Sequence, residues 1–360
     1  MTRLLKVGIT HGDYNGIGYE VTLKALADDR IPELFTPVFF AIPELVAEAA
    51  SRFELELPKI NIIADASEAQ PGILNVVDIK VGNVKLQPGI GTPESGAAAV
   101  KALEMGVASA LEGTVDCLVT APISKEAVQS NSFNFTGHTE FLAERAEAKT
   151  QMILFDDSLR VALLSTHKAI SEIPATVTLE GIVEALHLFN NSLSLDFGYE
   201  KPNIAVLSLN PHCGDGGLLG REEIEVIKPA LESLEPSMYV FGPYAADGFF
   251  ASGNWKKFDG VLAMYHDQGL APFKALAGQR GVNFTSGLPF VRTSPDHGTG
   301  FDIAWAGVAD PTSMREALYK AIDLTRTRRR NLAAAANPLK VQPPEKQDKK
   351  EHKNEKPAVQ

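Results

Sequence analysis

Three apolar runs in this chain each end in a histidine: VALLSTH (161–167), IAVLSLNPH (204–212) and GVLAMYH (260–266). Runs this short, rich in Val, Leu and Ile and unbroken by polar alternation, suit strands buried on both faces of a parallel sheet. A parallel sheet needs helical crossovers, so the feature commits the chain to an α/β architecture. In open α/β sheets, ligands gather beyond the carboxyl ends of the strands. His167, His212 and His266 are therefore expected to converge, and three imidazoles at one place suit a metal ion. Each histidine alone could equally be satisfied by a backbone carbonyl; the repeated placement favours the metal.

The rest of the chain alternates in the same way. LLKVGIT reads as a strand followed by a helix from about Tyr19 to Ala27, PVFFAI as a strand, and the Ala-rich stretch Pro93 to Leu111 as a packed helix. CLVTAP reads as a buried strand, with SKEAV opening the next helix. A length of 360 residues exceeds one ordinary core and predicts two lobes. The expected division is 1–130 with 280–335 as one α/β domain and 131–279 as a second, which carries the metal and substrate site. Residues 337–360 are charged and poor in large apolar groups, and are expected to form a disordered tail.

The net charge of −11 argues against nucleic acid as a partner but leaves room for a local basic pocket. No apolar stretch reaches the roughly 18–20 residues that span a bilayer, so no membrane association is expected. The N-terminus lacks a signal-like apolar region. Two cysteines, Cys117 and Cys213, are too few for a disulfide framework. The expected location is the reducing cytoplasm.

Four polar segments carry candidate chemistry. In ITHGDYNGIGYE (9–20), Gly12, Gly16 and Gly18 lie between a strand and a helix, where they could admit an anion or simply make a tight turn. Their spacing is not the dinucleotide fingerprint. In FTGHTEFLAERA (135–146), Thr139 could cap a helix, and His138 and Thr139 could donate to a phosphate or carboxylate. Between Tyr265 and Arg292, Asp267 suits the orientation of a metal-binding histidine. Lys274 suits a charge or a base, and Asn283 and Arg292 suit the grip of an anion. In RTSPDHGTGFDIA (292–304), His297 is a further possible ligand, and Asp302 could accept from ribose hydroxyls.

The motifs GDYNGIGYE, TAPISKEA, GHTEFLA, STH, LNPHCGDGG, MYHDQGLAPFK and VNFTSGLPFVRTSPDHGTGFDIA together resemble the 4-hydroxythreonine-4-phosphate dehydrogenases of vitamin B6 biosynthesis. The resemblance runs from about Val7 to Arg330. It implies a two-domain α/β/α fold like that of isocitrate and isopropylmalate dehydrogenases, with the active site in the interdomain cleft. It also implies NAD- or NADP-dependent oxidation of 4-phosphooxy-L-threonine at C3, followed by loss of CO2 to give 3-amino-2-oxopropyl phosphate.

By the same resemblance, His167, His212 and His266 hold a divalent metal shared across a homodimer. Substrate contacts fall to His138, Thr139, Lys274, Asn283 and Arg292, and cofactor contacts to the loop containing His297, Gly298 and Asp302. Imidazole ligands make zinc the first choice, with cobalt or magnesium as alternatives. Lys274 is the first candidate for the base, with Asp267 also a catalytic candidate and Lys125 behind Lys274. The sequence departs from the family pattern at Tyr14-Asn15 and Tyr19, where Pro-Ala and Pro are common, and at Trp305-Ala306, where Gly-Lys is common. Rival readings are a sister dehydrogenase of another phosphorylated hydroxy acid, such as 4-phospho-erythronate, and a zinc hydrolase. A catalytically dead phosphate-binding protein is a third, and it would be expected to lack these ligands.

Overall fold

The computed structural model describes residues 3–338 except 29, 83, 130–134 and 136. Most of the expected tail, from 339 onward, lies outside the described residues. Twelve strands form one sheet: β1 (Lys6–Thr10), β2 (Thr36–Ala41), β3 (Ile60–Ile63), β4 (Leu74–Asp78), β5 (Cys117–Thr120), β6 (Gln151–Phe155), β7 (Arg160–Leu163), β8 (Asn203–Leu207), β9 (Tyr239–Tyr244), β10 (Gly260–Ala263), β11 (Val282–Ser286) and β12 (Val291–Pro295). Their order is β3-β4-β2-β1-β5-β12-β11-β6-β7-β10-β8-β9. The architecture is the expected α/β one, with helices linking most of the strands.

The apolar runs form strands because they bury both faces. Val161, Ala162, Ile204 to Leu207 and Val261 to Ala263 are all essentially inaccessible. These runs form β7, β8 and β10, which are neighbours, with β10 parallel to both of the others. The expectation of an all-parallel sheet is corrected at the centre, where β6 runs antiparallel to β7 and β11 runs antiparallel to both β6 and β12. The sequence reason is local. Asp156 accepts from the backbone amides of Ser158 and Leu159, folding a tight β6–β7 hairpin with no room for a crossover.

The longer helices start where their caps dictate. Thr92 and Ser95 exchange side-chain and backbone hydrogen bonds at the start of the helix Pro93–Leu111, and Thr178 caps Leu179–Leu195. The expected helix at SKEAV is corrected: residues 125–128 form turns. Thr139 is not a cap either, because the helix begins one residue earlier, at His138, with Gly137 as its cap. Gly12 has φ +70°, and a Cβ there would lie 2.2 Å from the carbonyl oxygen of Pro122. The opening loop therefore serves close backbone approach. Among the described residues, no helix is long and apolar enough to cross a membrane.

Candidate functional site

Beyond the carboxyl ends of the central strands lies a cavity of about 210 Å³, lined by Thr120, Lys125, His138, Thr139, Glu140, His167, Asn283, Arg292 and His297 among others. It joins four of the five expected substrate residues. Strand β12 carries Arg292, which is 1% exposed, between Thr120 of β5 and Thr285 of β11. Its guanidinium donates to Thr120 Oγ1 from Nε at 3.2 Å and to Thr285 Oγ1 at 3.0 Å. Among the described residues, no carboxylate lies within ion-pair distance of it. Burial brings its pKa down to about 9, and the more distant Glu140 carboxylate opposes that only in part. A buried cation held by neutral hydroxyls invites an anion.

The surroundings keep that cation from being neutralised by proton transfer. His138 is half-buried with its Nε2 enclosed, and its pKa is held well below the ordinary histidine range, first by desolvation and then by Arg292 and Lys125. It is therefore a neutral imidazole at pH 7, and its Nε2 has no hydrogen-bond partner. The buried Oδ1 of Asn283 likewise has none.

At the outer side of the cavity, His167 and His266 approach to 6.4 Å between ring centroids. Each turns Nδ1 toward a carboxylate: His167 to Glu140 at 3.4 Å, and His266 to Asp267 at 2.8 Å. That arrangement turns Nε2 of each ring away from its carboxylate, as in metal sites where a carboxylate orients the imidazole, although His167 Nε2 is engaged by a lysine. Lys125 Nζ lies 3.5 Å from His167 Nε2. His212 is exposed on the turn Pro211–Gly217. Among the described residues of one chain, no three His, Cys, Asp or Glu side chains come close enough to hold an ion. The histidines thus divide into a pair and a single residue.

A second cavity, of about 300 Å³, adjoins the first through His297 and is lined by Ile17, Lys274, Asp296, Ile303, Ala309 and Asp310 among others. Lys274, expected in the substrate set, lines this second cavity instead, 3.1 Å from Asp296 Oδ1. Burial raises the Asp296 pKa, and Lys274 opposes that shift. Burial is also the main cause of the lowered pKa of His297. Gly298 lines the first cavity, whereas Asp302 is exposed and lines neither. Glu140, Thr120 and Thr285 were not singled out from the sequence. Only Glu140 carried a signal, as a carboxylate in the first turn of the helix that begins at His138.

Comparison with known proteins extends this geometry. The family model for the pyridoxal phosphate biosynthetic protein PdxA matches residues 33–321. A 4-hydroxythreonine-4-phosphate dehydrogenase of Bacteroides thetaiotaomicron is 50% identical over 347 residues, 96% of this chain and 95% of that protein. A D-threonate 4-phosphate dehydrogenase of Pectobacterium atrosepticum is 36% identical over 326 residues, 88% of this chain and 98% of that one. The crystal structure of a 4-hydroxythreonine-4-phosphate dehydrogenase from Klebsiella pneumoniae has a TM-score of 0.79 and 34% identity, covering 89% of this chain and 99% of that chain. The family model spans eleven of the twelve strands, β2 to β12, and the chain belongs to the PdxA family of pyridoxal phosphate biosynthetic proteins.

Proposed function

We propose that this chain oxidises 4-phosphooxy-L-threonine at its C3 hydroxyl, using NAD or NADP, to a β-keto acid that loses CO2 to leave 3-amino-2-oxopropyl phosphate. The observation that carries this reading is Arg292, a buried guanidinium with no counter-ion among the described residues, at a cavity of substrate size. Its free N–H groups suit the phosphate, and the neutral His138 and the side chain of Thr139 can add hydrogen bonds. The substrate would then reach from Arg292 toward His167, placing C3 near the His167–His266 pair.

The two imidazoles oriented by carboxylates suit a divalent ion, zinc first, which would take His266 Nε2 directly and His167 Nε2 once Lys125 gives way. His212 would complete the set across a homodimer. When bound, the metal supplies Lewis acidity toward the hydroxyl and the nicotinamide accepts the hydride. The 300 Å³ cavity has room for one end of the dinucleotide, and we assign the nicotinamide end to its border with the substrate cavity at His297. Lys125, beside His167, and Lys274, paired with Asp296, are the two candidates for carrying the hydroxyl proton.

Strand order supports two lobes, 1–130 with 280–335 against 131–279. The first seven strands of the sheet come from the former and the last five from the latter. Both cysteines are free, which suits the cytoplasm. The test is NADH formation, read at 340 nm, from 4-phosphooxy-L-threonine, 4-phospho-D-erythronate and D-threonate 4-phosphate, with metal content measured on the same sample. Greatest kcat/KM on the first substrate is expected. Preference for a hydroxy acid would move the chain to a sister activity, and absence of NADH with all three would end the dehydrogenase reading.

A further inference from the structure

We propose that Glu223 and Gln268 are positioning residues that fix the strand exits carrying His212 and His266, and so set the metal affinity of the site. The inference rests on the metal reading given above. After β8 the chain passes through Ser208, Leu209, Asn210 and Pro211 into five successive residues in the left-handed region. From His212 to Gly216 their φ values are 51°, 54°, 76°, 43° and 66°. Three of them, His212, Cys213 and Asp215, are not glycine, and each such residue is strained by about 1–2 kcal/mol. A run of this kind persists only where its surroundings over-determine it.

Glu223 supplies that constraint. Its side chain is inaccessible, and among the described residues no cation pairs with it. Oε1 accepts from the backbone amides of Leu209 and Asn210, both at 2.8 Å, and Oε2 accepts from Asn210 Nδ2 at 3.0 Å. A Cβ on Gly214 would lie 2.7 Å from Oε2, so the left-handed turn closes directly over the carboxylate. Glu223 itself opens a stretch of π-helix, Glu223–Ile227, a rare geometry that favours functional sites. A buried, unpaired carboxylate is costly unless its donors are fixed in place, and here the fixed donors are the amides leading into His212.

Gln268 ties this exit to its neighbour. Its Oε1 accepts from the Met264 amide at 2.7 Å, and its Nε2 donates to the Ser208 carbonyl at 2.6 Å. One side-chain amide therefore bridges the ends of β10 and β8, two residues before His266 and four before His212. Hydrophobic packing would be enough to hold the strands together; a bridge to backbone polar groups also fixes the direction in which each loop leaves.

The test uses the full-length, metal-free protein titrated with Co2+, with binding followed by visible absorbance. Binding of inorganic phosphate is measured in parallel. Glu223→Gln keeps the shape but turns an N–H toward amide donors, and Gln268→Met removes the bridge. Each is expected to weaken Co2+ binding about 10- to 100-fold, with phosphate binding at Arg292 and the far-UV circular dichroism unchanged. Co2+ affinity at the wild-type level in either folded variant overturns the positioning role alone. Equal loss of Co2+ and phosphate binding overturns it in favour of a general structural role. A wild-type protein that binds no Co2+ overturns the metal reading and this inference with it.

Discussion

Replacing Arg292 by methionine should make the protein more stable and nearly inactive. The guanidinium is 1% exposed, and burial lowers its pKa from 12.5 to about 9. The folded state thus disfavours the charge at every pH below about 9, where the guanidinium is charged in the folded and unfolded states alike. At about 1.4 kcal/mol per tenfold, the destabilisation is on the order of 5 kcal/mol. Methionine preserves most of the volume but gives up the hydrogen bonds to Thr120 and Thr285, each contributing about 1 kcal/mol. The balance is a net gain of about 1–3 kcal/mol, within the range seen when buried charges are replaced by apolar groups. Thermal unfolding in phosphate-free buffer should show a midpoint a few degrees higher for Arg292→Met. Adding inorganic phosphate should raise the wild-type midpoint and leave the variant unmoved. Loss of two charge-assisted hydrogen bonds to the phosphate, at about 1.5–3 kcal/mol each, should lower kcat/KM at least about 100-fold. A variant less stable than the wild type without phosphate would refute the reasoning, because Arg292 would then be a structural residue.

Three further outcomes follow from groups away from the anion site. Burial lowers the His11 pKa to about 3, so below pH 6.5 the unfolded chain takes up a proton that the folded chain refuses. Between pH 7.5 and 5.5 this residue should remove about 1.4 kcal/mol of stability; denaturant unfolding of His11→Asn should show a smaller loss, and an equal loss would exclude the linkage. Burial pushes the Cys117 thiol up to about 12, whereas Cys213 is partly exposed. A disulfide reagent should therefore titrate one thiol per native chain and two after denaturation, and two in the native state would contradict the burial of β5. The inaccessible Glu20 carboxylate accepts from the amides of Gly307 (3.2 Å) and Ala309 (2.7 Å), beside the 300 Å³ cavity. Glu20→Gln should raise the KM for the dinucleotide about fivefold, equivalent to about 1 kcal/mol, with kcat little altered; an unchanged KM would separate this loop from the cofactor.

The three histidine-bearing strands were legible because burial on both faces leaves a composition that few other elements share. Their adjacency followed from topology, and His167 and His266 met as strand ends should. His212 did not join them, because four residues separate it from the end of β8 and it is itself the first residue of a left-handed turn. Strand periodicity carries no information about such a turn. Arg292 stood out as a candidate anion ligand by its residue type, but its burial without a carboxylate partner among the described residues was not legible: that depends on Thr120 and Thr285, which reach it from other strands of the sheet. The antiparallel β6, β7 and β11 were hidden for the same reason. Direction in a sheet is decided by the connection, and the Asp156 turn is only a few residues long.

The departures from the family pattern show what a single sequence leaves out when its positions are read one at a time. Tyr14, Tyr19 and Trp305 appear as separate exceptions, almost three hundred residues apart at the extremes. In the fold they form one cluster. Trp305 Nε1 donates to the Tyr14 carbonyl at 2.8 Å, and the Trp305 ring lies 6.1 Å from that of Tyr19 and 5.5 Å from that of Phe53. The Tyr19 hydroxyl accepts from the Ile42 amide at 2.9 Å. Trp305 also holds φ +59°, a conformation that favours glycine, and its 2% exposure shows how packing offsets that strain. The ring at 305 packs against the Tyr19 ring and is anchored on the backbone at Tyr14, so the departures at 305 and 19 act as one change in packing. None of the three lines either cavity. Any influence on either cavity is therefore indirect, through the packing of the loop that carries Trp305.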